Sequence, residues 1–172
     1  MTTDLNAGLN TDLLAIIQKI KHECGENPGK KQLQKLVYLI QAKGVSLGYE
    51  YDIHFYGPYS EELSHDLLSL CVHCRVDFSV EGQTHKIVPF DKEPVEMTLS
   101  KDHSAVVDNL IRQYKDISPS ELELITTTHF VAENLGSSEE EILAGVKRIK
   151  GNKYPERDIK DVVRHIKAEY AV

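Results

Sequence analysis

The chain is short of the features that advertise chemistry. It contains no G-x-S-x-G, no phosphate-binding glycine loop and no H-E-x-x-H, and so no nucleophile elbow, nucleotide cradle or zinc-protease helix. Nothing in its spacing sets a nucleophile beside a base and oxyanion donors. Its eight histidines give no pair at metal spacing on one helix face. Three cysteines, an odd number, do not make a disulfide framework. No apolar run reaches the roughly 18 residues of a membrane span, and no signal-peptide pattern opens the chain, so a soluble, cytoplasmic protein is expected. Repeats and low-complexity tracts are missing too. The net charge of −7 argues against a polyphosphate as main partner. These absences point away from an enzyme, a cofactor and a membrane, and towards a protein that acts by binding.

What is present is a core. The 172 residues, 41% of them hydrophobic, suffice for one domain without staples. The chain is organised around residues 30–60. Leu33, Leu36, Val37 and Ile40 recur at the period of one helix face. Tyr38 and Leu39 widen that stripe until the helix is apolar nearly all round, which predicts that protein surrounds it. Gly44 suits a left-handed C-cap. In YEYDIHFY, Tyr51, Ile53 and Phe55 alternate with Asp52, His54 and Tyr56, the period of a half-buried strand ending at or before Gly57-Pro58. Ser60 reads as an N-cap, with Glu61 and Glu62 in the first turn. Charge is segregated here. Lys30, Lys31 and Lys35 open the first helix, and no Lys or Arg falls between Gly44 and Cys74. The simple expectation is a surface pairing of the basic helix start with the acidic one; otherwise one of the two patches faces a partner.

The flanks follow the same logic. Residues 1–9 are small and polar and are expected to fray. Asn10 or Thr11 caps a helix carrying Leu13, Ile16, Ile17 and Ile20. The helix after Ser60 carries a stripe of Leu63, Leu67, Leu70 and Cys74. RVDFSV and THKIVPF pair across an EGQ turn. Helices follow from Ser100, from Ser118-Pro119 with Glu121, from Ser137 with Glu140, and from Pro155. The predicted fold is α+β and predominantly α-helical: one domain over 1–172, a helical bundle with a small β-hairpin appendage, its 10–92 half winged-helix-like and its 100–172 half helical.

The segments KKQLQKLVYLIQ and IHFYGPYSEEL resemble the Panacea, or SocA-like, antitoxin domain, in which a K-L-Q-K-L-x-Y helix precedes a Y-G-P turn. The matching positions are Leu33, Gln34, Lys35, Leu36 and Tyr38, then Tyr56, Gly57 and Pro58. Within that group the wording is most similar to YwgA-like bacterial proteins. The resemblance implies a mostly helical bacterial protein that neutralises or regulates another protein by contact. Toxins are the known partners, and in one case the domain acts as an adaptor to a protease. It brings no catalytic residues.

The candidate contact surface is therefore the turn Tyr56, Gly57, Pro58 and Tyr59 with Ser60 and the acidic residues Glu61, Glu62 and Asp66 behind it. Clustered Tyr49, Tyr51, Tyr56 and Tyr59 read either as packing or as a binding hot spot. Cys71 and Cys74, with His22 and Cys24, are the nearest approach to a zinc set. The leucines sharing their helix face favour core thiols and no metal. His129 reads as a buried histidine bonded to a carbonyl, or as part of a pocket. The competing function is a winged-helix DNA-binding regulator. Its recognition helix would be SEELSHDLLSLCVHC, which offers carboxylates where bases and phosphates need donors. Lys86 and His85 are the wing's contribution. The cluster Lys147, Arg148, Lys150, Lys153 and Arg157 reads as a solvated face, so nucleic acid is not expected.

Overall fold

The computed structural model describes residues 8–172, so most of the lead-in expected to fray lies outside the described residues. Within them the chain folds as α1 (Thr11–Cys24), α2 (Lys30–Ala42), β1 (Asp52–His54), β2 (Gly57–Tyr59), α3 (Glu61–Val72), β3 (Val76–Glu81), β4 (Thr84–Pro89), α4 (Lys101–Tyr114), α5 (Pro119–Asn134), α6 (Glu139–Lys150) and α7 (Glu156–Glu169). The fold is α+β and predominantly helical, as the periodicities predict. It carries two antiparallel hairpins, β1–β2 and β3–β4, where one appendage is expected from the sequence.

Local chemistry sets the helix ends. The side chains of Asn10, Ser60, Ser100, Ser118 and Ser138 each accept a hydrogen bond from a first-turn amide. The box that opens α6 is Ser138 with Glu141, one residue later than the Ser137–Glu140 pair. Both spacings fit the rule, and the sequence alone does not separate them. Gly44 takes φ +92° just past α2, the conformation that makes glycine the usual terminator.

Two helices form the centre. In α2, Leu33 through Ile40 are all buried, which confirms the enclosed rod. In α5, Leu122 through His129 are buried almost without interruption. Such a helix must satisfy its own polar side chains. Thr126 and Thr128 do so by donating to the carbonyls of Leu122 and Leu124 at 3.0 and 2.7 Å. α5 packs on α2, α6, α7 and β2, while α4 packs on α2 and α1 packs on α4.

The organising strand is shorter than its alternation suggests. β1 stops at His54, and Gly57-Pro58-Tyr59 returns beside it with Ile53 opposite Pro58. Proline is tolerated because the ladder has only two strands. Phe55, expected on the buried side, forms the loop with Tyr56 and is 82% exposed. The longer ribbon pairs Val76 through Glu81 with Pro89 through Thr84. It is stitched to the α1–α2 loop, where Ile87 donates to the Pro28 carbonyl at 2.8 Å. Among the described residues no helix is long and apolar enough to cross a membrane.

Candidate functional site

The β1–β2 hairpin is the meeting point of both halves of the chain. Gln34, buried in α2, reads the backbone of Ser60 twice: its Nε2 donates to the Ser60 carbonyl and its Oε1 accepts from the Ser60 amide, both at 2.9 Å. That pair of hydrogen bonds fixes the step from β2 into α3. Tyr51 donates to the Gln34 carbonyl at 3.1 Å and packs edge-on against Tyr38. Gly57, at φ +100°, lies against α5, and a Cβ there would sit 3.0 Å from Thr127 Oγ1. The Thr127 hydroxyl is buried and makes no hydrogen bond.

From the other side comes α6. Lys150 donates to the Phe55 carbonyl at 2.7 Å and lies 2.8 Å from Glu123 Oε1. Lys153 meets the same oxygen at 2.8 Å, and the Tyr154 hydroxyl reaches it at 3.1 Å. Burial alone would raise the Glu123 carboxyl, but the two ammonium groups outweigh it and hold the carboxyl below its usual range. Lys35 enters the same neighbourhood from α2. Burial pushes its ammonium down to about 8 against the pull of Glu123, with Lys150, Lys31 and Lys153 adding to the depression. Between α2, the hairpin and α3 is a cavity of about 280 Å³, lined by Lys30, Lys31, Lys35, the 54–59 hairpin, Leu63 and Leu67.

The candidate contact residues therefore divide. Phe55 and Tyr56 stand out at the tip, Glu61 and Glu62 are exposed at the start of α3, and Tyr59 is half-buried. Gly57, Pro58 and Ser60 are buried under the tip. Asp66 is engaged internally, accepting from Asn10 and Tyr49 at 2.9 and 2.7 Å. The expected pairing of the basic and acidic helix starts does not form. Lys31 lies over the Tyr56 ring at 3.2 Å and Lys30 over the Phe78 ring at 3.5 Å, because a ring face attracts a cation without needing a second charge. Lys150, read as part of a solvated face, is instead buried against Glu123.

The sulfur set disperses. Cys71 is half-buried near the end of α3. Cys74 falls beyond the helix, exposed and at φ +55°, so the leucine stripe does not include it and it is not the core thiol that its spacing suggests. His22 is exposed, and Cys24 packs beside Gln32 in the first turn of α2. The described residues include no cluster of three or more metal-ligating side chains. His129 is buried, but its Nδ1 meets the Tyr38 hydroxyl at 2.8 Å instead of a carbonyl, and burial lowers its pKa to about 4. The winged-helix rival keeps few donors. α3 holds no Lys or Arg, and Lys86 of the ribbon is tied to Glu26 at 3.2 Å.

Comparison with known proteins adds one likeness. Over a third of its length the chain is similar to a bacterial protein of uncharacterised role. That relative is YwgA of Bacillus subtilis, 42% identical over 57 residues, which are 33% of this chain and 34% of YwgA. The chain is thus YwgA-like over that portion, and the match spans about a third of the relative. No family model matches.

Sequence reasoning missed Glu123, Lys150 and Gln34 as site residues. Glu123 alone carries a weak signal, as a carboxylate set between Leu122 and Leu124. Such a residue, when buried, must have partners.

Proposed function

We propose that this chain is a non-catalytic protein–protein interaction domain, and that the tip of the β1–β2 hairpin is its contact point. The observation that carries the reading is the placement of Phe55 and Tyr56, 82% and 46% exposed, on a loop whose base is fixed from α2, α5 and α6. Exposed aromatics on a rigid support are what interface hot spots require: large contact area at little entropic cost. The Panacea-like wording of about residues 30–70 favours antitoxin-like neutralisation, or adaptor-type regulation, of a partner protein. The experiment compares the tagged chain with the double variant Phe55→Ser, Tyr56→Ser in cells of its own source. A stoichiometric partner retained by the parent and lost by the variant supports the reading. Equal retention by both, or no partner at all, refutes it.

A further inference from the structure

We infer that the cavity beneath the hairpin tip is a receptor for one acidic side chain, a glutamate or aspartate, on the partner's docking segment. The inference rests on the interaction reading above and specifies its chemistry. Its centre is Lys35, only 4% exposed, lining the cavity. Among the described residues its ammonium forms no hydrogen bond or ion pair. The one carboxylate at hand, Glu123, is held by Lys150 and Lys153 and by Tyr154. The charges acting on Lys35 are thus one carboxylate, Glu123, against three further ammonium groups, Lys150, Lys31 and Lys153. An ammonium largely withdrawn from water and without a protein partner gains from an incoming carboxylate, which supplies one.

The shape selects the source of that carboxylate. A cavity of about 280 Å³ is small for a cofactor and suits one side chain. Its walls are Leu63, Leu67, Pro58 and aromatic rings, against which the methylenes of a glutamate pack while the carboxylate reaches Lys35. A bare phosphate would leave those walls empty. The rim continues into Phe55 and Tyr56, so a chain that inserts an acidic residue lays its neighbours on the exposed rings. The acidic patch at Glu61 and Glu62 lies outside the lining, and its charge keeps the partner's other acidic residues from the wrong side.

The test uses the whole chain with its lysines labelled at the ε carbon, observed by NMR at low salt. Blocked hexaglutamate is the probe; hexaglutamine and inorganic phosphate are the controls. Hexaglutamate is expected to shift the Lys35 resonance saturably and to make it titrate at a pH about one unit higher, as an adjacent opposite charge does. Hexaglutamine should leave it in place. An unmoved Lys35, or one that phosphate moves equally, overturns the inference. A second arm separates it from the interaction reading. Lys35→Met keeps the side-chain volume and removes the charge. Loss of the captured partner in both Lys35→Met and the Phe55/Tyr56 variant supports the acidic anchor. Loss in the Phe55/Tyr56 variant alone sinks the anchor and leaves the interaction reading intact. Retention in both sinks the two together.

Discussion

The two hairpins of this protein are built on opposite plans. β3–β4 has six facing pairs and a turn, Gly82-Gln83, with open space at the glycine. It is a self-paired ribbon, stitched to the α1–α2 loop through Ile87. β1–β2 has three pairs and little ladder of its own. Side chains from elsewhere hold it in place: Gln34 at its exit, Lys150 on its loop carbonyl, and α5 pressed against Gly57. The longer hairpin owes its shape to its own strands, and the shorter one to long-range contacts. A loop that must present aromatic rings at a fixed angle needs the second plan, since three ladder pairs alone do not hold a hairpin in water.

The sharpest way to break this contrast is at Glu123. Glu123→Gln leaves the buried Lys150 without its carboxylate, and removing one partner of a buried pair costs about 3–5 kcal/mol. A chemical denaturation curve reads the loss. Leu36→Ala strikes the support that both hairpins share, because α2 packs on β2 and on β4 alike. Leu36 is fully buried, so a cost of about 2–5 kcal/mol is expected. An unmoved melting midpoint would remove α2 from the centre of the fold.

A pH scan bears on the short hairpin through the ring stack behind it, His129 on Tyr38 on Tyr51. The His129 pKa is about 4 in the fold and about 6.5 in the unfolded chain. In that interval the unfolded chain binds the extra proton. The contribution of His129 is therefore complete above about pH 6.5 and is lost as pH falls towards about 4, in total about 3 kcal/mol. His129→Gln should flatten the dependence of stability on pH across that window. The two hairpin glycines give the smallest and most direct contrast. Gly57→Ala meets both a disfavoured φ of +100° and Thr127 at 3.0 Å, and should cost about 1–3 kcal/mol. Gly82→Ala, at φ +62° with open space around it, should cost roughly 1 kcal/mol, for the backbone alone. Equal costs would show that the short hairpin is not pressed on α5.

The contrast also marks what was legible in the sequence. The longer hairpin could be read from RVDFSV and THKIVPF, because its pairing is local and its period is two. The helices were legible from caps and stripes, and even the all-round burial of α2 followed from Tyr38 and Leu39. The short hairpin's surroundings were not legible. Alternation in YEYDIHFY is real, but it placed Phe55 inside, because a run of aromatics carries no sign of where the chain turns. Nothing local tells that Lys150, in a basic run 95 residues beyond Phe55, folds back onto its carbonyl. The same holds for Glu123. A carboxylate among leucines reads as a solvated edge until the fold supplies three donors around it.

The Lys150 bond to the Phe55 carbonyl holds the short hairpin from outside. Amide hydrogen exchange in Lys150→Met tests it most directly. A hydrogen bond from a charged donor contributes about 1.5–3 kcal/mol, so the amides of residues 52–59 should exchange roughly ten- to a hundredfold faster than in the parent chain, with residues 76–89 unchanged. If residues 52–59 keep their protection, or if both hairpins open together, the claim is contradicted.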